Sequence, residues 1–412
     1  MAASVAVNPP QPEKPPHPLR DRYFRMLWAG SAISLIGDQF YLVALPWIIL
    51  QLTGSAVAMG TIMMLAAVPR ATLMLLGGAV SDRFSPRRIM MTTASARTVF
   101  VAAIGFLLWL HALQLWHLYL LAFAFGTADA FAAPAASAFL PSLVKKEQLL
   151  VANSVVLSTA QVTTIAAPAP AGLAIKAFGA AWAFFIDAVS FLFIIGALWR
   201  LPDPPNAAAP AMKKPAMWRS IMEGIRSVHG DVPLRSLMTL AAVMNFCLAG
   251  PMAVGLAYLT KQRFGSPAAY GTVISCLAAG GLLGSFLAGL WKPRRRGLLM
   301  LGGCTVLALC LGSIGLLHVL IAISGVLLLM GVCAGLVNVQ ISSWIQLRVQ
   351  PAMRGRIMSV LMFVSLGLVP ISLAVAGVLA QWNVKAMFLL GATAMLLATM
   401  AGALHRSVRS IE

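Results

Sequence analysis

Charge is what this chain has least of: Asp, Glu, Lys and Arg make up 10% of its 412 residues, against about a quarter in soluble domains. Hydrophobic residues make up 60%. That balance excludes a water-soluble globular domain and reads as an integral membrane protein. Acids are scarcer than bases, 11 against 30, and the formal net charge of +19 raises the question of nucleic-acid binding. The placement of the bases answers it, because 24 of the 30 fall in loops on one side of the expected topology, four on the other and two within spans. This is the positive-inside pattern, which accounts for the basic balance without a nucleic-acid partner.

Other absences narrow the function. No G-x-x-x-x-G-K-[ST] run occurs, which argues against direct ATP-driven pumping. No His-rich or Cys-His cluster suggests a metal, and no Ser/His/Asp arrangement suggests a hydrolase, so neither a metal nor enzymatic catalysis is expected. Cys247, Cys276, Cys304, Cys310 and Cys333 lie in apolar runs without ligand-like spacing and read as small buried hydrophobes. No signal peptide is expected: residues 1–20 are polar and proline-rich, within a disordered cytoplasmic tail over 1–21.

What is abundant is long apolar runs. Twelve reach about 20 residues or more, the length that a hydrocarbon layer of roughly 30 Å requires of a helix. The first six cover about 24–51, 56–80, 89–113, 116–140, 149–175 and 181–199. The second six cover about 235–260, 268–291, 298–317, 319–345, 355–380 and 384–404. The expected fold is therefore an all-α membrane protein of two pseudo-symmetric six-helix bundles, 22–200 and 235–405. A proline-rich cytoplasmic linker, 201–234, joins them, and a short tail, 406–412, follows. Both termini are expected in the cytoplasm and the spans in the inner membrane.

Internal repetition supports the two halves. Thr53-Gly54-Ser55 with Gly60-Thr61 has a counterpart in Phe264-Gly265-Ser266 with Gly271-Thr272. Pro86-Arg87-Arg88 matches Pro293-Arg294-Arg295, and Phe125-Gly126 matches Met330-Gly331. Matching order suggests parallel repeats, as in transporters that rock about a midplane site.

Five ionisable residues fall inside spans, all in the first half: Asp38, Arg70, Arg97, Asp129 and Asp187. Each costs about 2.5–3.5 kcal/mol at midspan on insertion scales, so they are expected to face the interior and some to pair. Three Asp against two Arg leave one carboxylate unmatched. Burial disfavours its charged form, so that carboxylate is able to carry a proton. Asp38 shares a face with Gly30, Ser34, Gly37 and Tyr41, and Asp129 with Gly126, Ala133 and Ser137. Two readings stand for Asp38 and Asp129. Either they are structural, satisfied by Arg70, Arg97 or backbone, or at least one serves proton coupling or cation recognition. Asp187, near the external end of span six, reads as a helix-end hydrogen bonder. Span five carries Ser154, Ser158, Gln161, Pro168 and Gly172 on one face, and its prolines mark a bend. Asn245, Asn338 and Ser365 with Pro370 are helix-contact residues or a polar cavity wall.

Between spans two and three, Gly78-x-x-x-Asp82-Arg83-x-Ser85-x-Arg87-Arg88 resembles the signature loop of the major facilitator superfamily. More narrowly, three stretches resemble the branch of enterobactin exporters and macrolide efflux proteins. They are Ser34-x-x-Gly37-Asp38 with Ala44-Leu45-Pro46, Asp129 to Ala135, and Phe185-x-Asp187-Ala188-x-Ser190-Phe191. The resemblance covers about 22–404. It implies that spans one, four, seven and ten line a central cavity, which makes Asp38 and Asp129 cavity residues by position. It also implies that Asp82 latches the cytoplasmic side by meeting the end of span eleven, with Arg354 or Arg356 as partner. Ser85 stands for the family's usual glycine and Pro86 for its arginine, which predicts a weaker or reshaped latch. Gly289 occupies the place of Asp82 in the second repeat, so the gating role is assigned to Asp82 and the arginines are shared anchors.

The resulting expectation is a proton-coupled secondary transporter, exporting a hydrophobic or amphipathic small molecule of the drug, macrolide or siderophore class. It would act as a monomer in the bilayer, without a cofactor, on the proton gradient. A lysophospholipid flippase or a solute importer would use the same scaffold; a non-transporting scaffold or receptor is a different class.

Overall fold

The computed structural model describes residues 17–81, 83–203, 226, 229–290 and 295–404. Residues 1–16, most of the expected linker, 291–294 with Pro293 and Arg294 of the second repeat, 405–412 and Asp82 lie outside them. The first half is built from α1 (Arg22–Thr53), α2 (Ala56–Ser81), α3 (Pro86–Trp109), α4 (Leu115–Leu143), α5 (Leu149–Ala166), α6 (Pro168–Phe178) and α7 (Ala180–Arg200). The second is built from α8 (Val232–Gly250), a π-helical turn (Pro251–Gly255), α9 (Leu256–Phe264), α10 (Pro267–Leu290), α11 (Arg296–Leu316), α12 (Leu320–Arg348) and α13 (Pro351–Leu404).

Local chemistry sets the ends of these elements. Asp21 begins α1 by accepting the Tyr23 and Phe24 amide hydrogens at 2.8 and 3.0 Å, which satisfies donors that a helix start leaves free. Gly54 ends it in the left-handed region, at φ 63°, where a Cβ would be strained. Pro168 cannot donate a backbone hydrogen bond, and it divides the expected fifth span into α5 and α6. Pro251 falls inside the seventh crossing, where the helix widens to a π turn. Ser372 of α13 braces that region, accepting from the Gly250 amide at 2.8 Å and donating to the Phe246 carbonyl at 2.5 Å. α13 covers the two last expected spans and breaks at Asn383, whose backbone is extended. The Asn383 Oδ1 accepts from the Ala386 amide at 3.0 Å and so starts the last crossing.

Eleven stretches among the described residues are long and apolar enough to cross a membrane, and the last, Val360–Leu404, contains both limbs of α13. Twelve crossings result, as expected. Where every neighbour is as apolar as lipid, helices associate by close backbone approach at small residues. Gly126 of α4 lies against the Ala66 carbonyl of α2, and Gly331 of α12 against the Leu277 carbonyl of α10. These are the glycines of the two Gly126 and Gly331 repeats, in equivalent places. Gly77 packs on Ala130 and Pro134 in the same way, whereas Gly78 meets no described atom within 4 Å. Cys247, Cys304 and Cys310 are buried as expected, and Cys276 and Cys333 only partly so; all five are free thiols.

The halves meet at the face away from Arg22 and Leu404, hereafter the distal face. Gly60 of α2 abuts the Leu373 carbonyl and Gly377 of α13, and Gly271 of α10 abuts the Pro168 carbonyl of α6. Gly172 in turn abuts Pro267. Two helix starts are capped across the divide. The Ala56 amide donates to Gln381 Oε1 at 2.7 Å, and the Ala169 amide, one residue after Pro168, donates to Ser275 Oγ at 3.2 Å. Lys261 also lies 5.9 Å over the Trp47 ring.

Candidate functional site

Four of the five ionisable residues within spans converge from α1, α2, α3 and α4. The Arg97 Nη2 donates to Asp38 Oδ1 at 2.5 Å, and its Nη1 lies 3.7 Å from Asp129 Oδ1. Arg70 completes the chain, with Nε 2.7 Å from Asp129 Oδ2. Two carboxylates and two guanidiniums thus form one neutral network, Asp38–Arg97–Asp129–Arg70. Access differs along it: the side chain of Arg97 is 13% exposed and that of Arg70 46%.

Aromatic rings fix the inner end. The Arg97 guanidinium lies 4.7 Å from the Phe125 centroid and 4.4 Å from that of Phe191. Such a contact contributes about 2 kcal/mol when desolvated. Tyr41 stacks on Phe125 at 4.5 Å and meets Phe184 edge-on at 6.1 Å. The expected small-residue face of α1 is a helix contact, since Gly30 packs on Ile194 and Ala197 of α7 and Gly37 on Ser190 and Asp187.

Asp187 departs from its expected role. It lies seven residues into α7, yet α1 extends beyond the start of that helix, and the contact with Gly37 sets Asp187 at the level of Asp38. It is fully buried rather than a helix-end group. Ser190 gives its shorter hydrogen bond, 2.7 Å, to the Asp187 backbone carbonyl and lies 3.4 Å from Oδ1. Among the described residues, Asp187 Oδ2, Arg97 Nε and the Tyr41 hydroxyl have no hydrogen-bond partner.

The remaining candidates are dispersed. Tyr41 belongs to the network's aromatic wall, and Gln161 is partly buried on α5. Asn245 Oδ1 is buried without a hydrogen-bond partner among the described residues, Asn338 is exposed, and Gln340, absent from the sequence candidates, is buried. At the signature loop, Asp82 lies outside the described residues, as do the side chains of Arg354 and Arg356. Arg83 is exposed. Arg87 instead joins the end of α7: its Nε donates to the Leu198 carbonyl at 2.6 Å, its Nη2 to the Trp199 carbonyl at 3.1 Å, and its Nη1 pairs with Asp203 at 3.1 Å. Arg88 approaches the same carboxylate at 3.7 Å, and Ser85 donates to it at 3.2 Å. The Arg87 hydrogen bond is the main cause holding the Asp203 carboxyl below the usual carboxylate range. Asp203 carries no motif signal; only its position after a helix end ringed by carbonyls gives it a role.

Twelve crossings in two glycine-packed bundles, with a charged network inside one of them, define a membrane transport protein of the secondary-transporter class. The sequence agrees: residues 27–371 match the Major Facilitator Superfamily, and the chain belongs to that family. It is a transporter and not an enzyme. Relatives include an uncharacterised transporter of the superfamily from Bacillus subtilis, 26% identical with 86% of each chain covered. Another is macrolide efflux protein A of Streptococcus pyogenes, 23% identical over 94% of this chain and 97% of that protein. Among solved structures, the nucleoside transporter NupG aligns with a TM-score of 0.76, covering 93% of this chain and 98% of that one at 12% identity, which is a likeness of fold alone.

Proposed function

We propose that this protein exports a hydrophobic or amphipathic small molecule, of the drug, macrolide or siderophore class, in exchange for protons. The observation that carries the reading is the network of Asp38, Arg97, Asp129 and Arg70 within the crossings of one half, with Arg70 and Asp129 partly exposed. Charge inside hydrocarbon persists where it does work on an ion or substrate path. A proton arriving from outside at this cluster of carboxyls and guanidiniums would upset its charge balance, shift its arginines and weaken the hold on a bound substrate. Loss of that proton to the cytoplasm would reset the cluster.

The substrate and the proton then bias opposite conformations, which is what exchange requires. Closure at the distal face supports one of the two states of alternating access, with the distal face outside and both termini in the cytoplasm. Gln161, Asn245 and Asn338 would supply polar contacts to the substrate, and Asp82 with Arg354 or Arg356 would latch the cytoplasmic side. Similarity to macrolide efflux protein A, together with the branch-like stretches around Asp38, Asp129 and Asp187, supports export.

The test is accumulation of a radiolabelled macrolide and of a catechol siderophore in inside-out membrane vesicles carrying the full chain. Accumulation that follows an imposed proton gradient and collapses with a protonophore is expected for at least one probe, and is lost in Asp129→Asn or Asp38→Asn. Accumulation indifferent to the gradient, or unchanged coupling in both variants, would refute the reading. Uptake of lysophospholipid in place of both probes would replace it with a flippase.

A further inference from the structure

We infer that Asp187, rather than Asp38 or Asp129, is the carboxyl that takes up and gives back the coupling proton. This rests on the proton-exchange reading above and assigns its proton to one atom pair. Asp38 and Asp129 share Arg97 and Arg70, so the network of four is already neutral. A fifth, ionised carboxylate would leave an unbalanced negative charge where solvent does not reach, because Asp187 is 0% exposed. Among the described residues, its polar side-chain neighbour within hydrogen-bond range is Ser190, whose single hydrogen has the better acceptor in the Asp187 carbonyl. A neutral carboxylic acid fits this position and a carboxylate does not.

The same cluster shows what ionisation would do. From α1, Asp38 and Tyr41 face the site, and from α3 Arg97; Asp129 of α4 and Arg70 of α2 lie behind Arg97. The third helix packed on α7 is α6, and its charged residue, Lys176, is exposed. Arg22 and Arg25 belong to the first turn of α1, and Arg87 and Arg88 to the far end of α3 beside Asp203. Arg97 Nε–H and the Tyr41 hydroxyl are buried donors with no acceptor among the described residues, and Asp187 Oδ2 is a buried acceptor with no donor. When the Asp187 O–H bond breaks and its proton passes to water on the side open to the cytoplasm, the carboxylate becomes an acceptor for those donors and competes with Asp38 for Arg97. Drawing Arg97 toward α7 loosens the Arg97–Asp38 and Arg97–Asp129 contacts and frees these carboxylates for a cationic or hydrogen-bonding substrate. Reprotonation of Asp187 returns Arg97 to Asp38.

The experiment is infrared difference spectroscopy of the purified full-length protein in detergent, with no substrate, across a pH titration. The carbonyl-stretch band of a buried protonated carboxyl is expected in the wild type, absent in Asp187→Asn, and present in Asp38→Asn and Asp129→Asn. Should Asp187→Asn fail to fold, Ser190→Ala gives a second reading. Once Asp187 is ionised its Oδ1, 3.4 Å from the Ser190 hydroxyl, becomes a stronger acceptor than the backbone carbonyl, so the variant removes a donor to the ionised form and the band is expected to persist to higher pH by a measurable shift. A band that survives Asp187→Asn, or one that disappears with Asp38→Asn or Asp129→Asn instead, overturns the assignment; so does a Ser190→Ala titration identical to the wild type. The spectra need no transport, so they judge Asp187 alone, while failure of the export reading would show only in the vesicle experiment.

Discussion

Replacing Gln381 by Ala is expected to shift this transporter toward the state open at the distal face. The Ala56 amide hydrogen is at the first turn of α2 and has no partner within its own helix; Gln381 Oε1 of the other half accepts it at 2.7 Å. Ala56 is fully buried in the closed arrangement, whereas on separation of the halves water satisfies the same amide with or without Gln381. The loss therefore falls on the closed state alone. Removing an N-cap acceptor costs about 0.5–2 kcal/mol, which lowers the ratio of closed to open molecules by about 2- to 30-fold. The assay is spin-label distance measurement between Leu52→Cys and Lys385→Cys, both exposed, in a chain whose five cysteines are replaced by Ala. Gln381→Ala should transfer amplitude to the longer distance, and Gln381→Glu, which keeps an acceptor, should restore most of it. Ser275→Ala removes the second cross-half cap, at the Ala169 amide, and its effect should add to the first because the two contacts share no partner. A distance distribution unchanged by Gln381→Ala would refute the idea that these caps hold the distal face shut.

Three further predictions rest on other contacts. Gly271→Leu sets a side chain against the Pro168 carbonyl; overpacking of that kind costs about 1–3 kcal/mol, so the same spin labels should report opening and substrate export should fall. Gly37→Ala would press on Ser190 and Asp187, and a lower thermal midpoint by fluorescence is expected, with Gly30→Ala, against the Ile194 backbone, acting in the same direction. At the far end, Asp203 has its carboxyl held below the ordinary range by Arg87. Its contribution is therefore complete above the unfolded carboxylate value and is lost as pH falls through the lower, folded one. Acidification should mobilise a spin label at Ser85 in the wild type, and Asp203→Asn should show that mobility already at neutral pH. Arg87→Ala should mobilise it further, because Arg87 also holds the Leu198 and Trp199 carbonyls.

Much of this protein is legible in its sequence, for a physical reason. A hydrocarbon layer demands helices of one length with few charges, so composition and run length alone give an all-α protein of twelve crossings. Repeated glycines revealed the two halves because close approach between helices requires them wherever a half is built, as Gly126 and Gly331 show. The rule that charges within spans must pair also came from sequence, and with it the conclusion that three Asp and two Arg leave one acid over. Which acid is left over did not. Asp38 and Asp129 stood as the candidates and Asp187 as a helix-end hydrogen bonder, because pairing depends on how α1, α3 and α7 are set against one another. Gly37 lets α7 approach α1 and carries Asp187 down to the level of Asp38, into a place without solvent. Asp203 likewise has no pattern around it and gains a partner only because α3 begins beside the end of α7. Run length, sign of charge and small-residue repeats are local quantities that the bilayer reads directly. Pairing is a property of three-dimensional neighbours, and only the tertiary structure decided it.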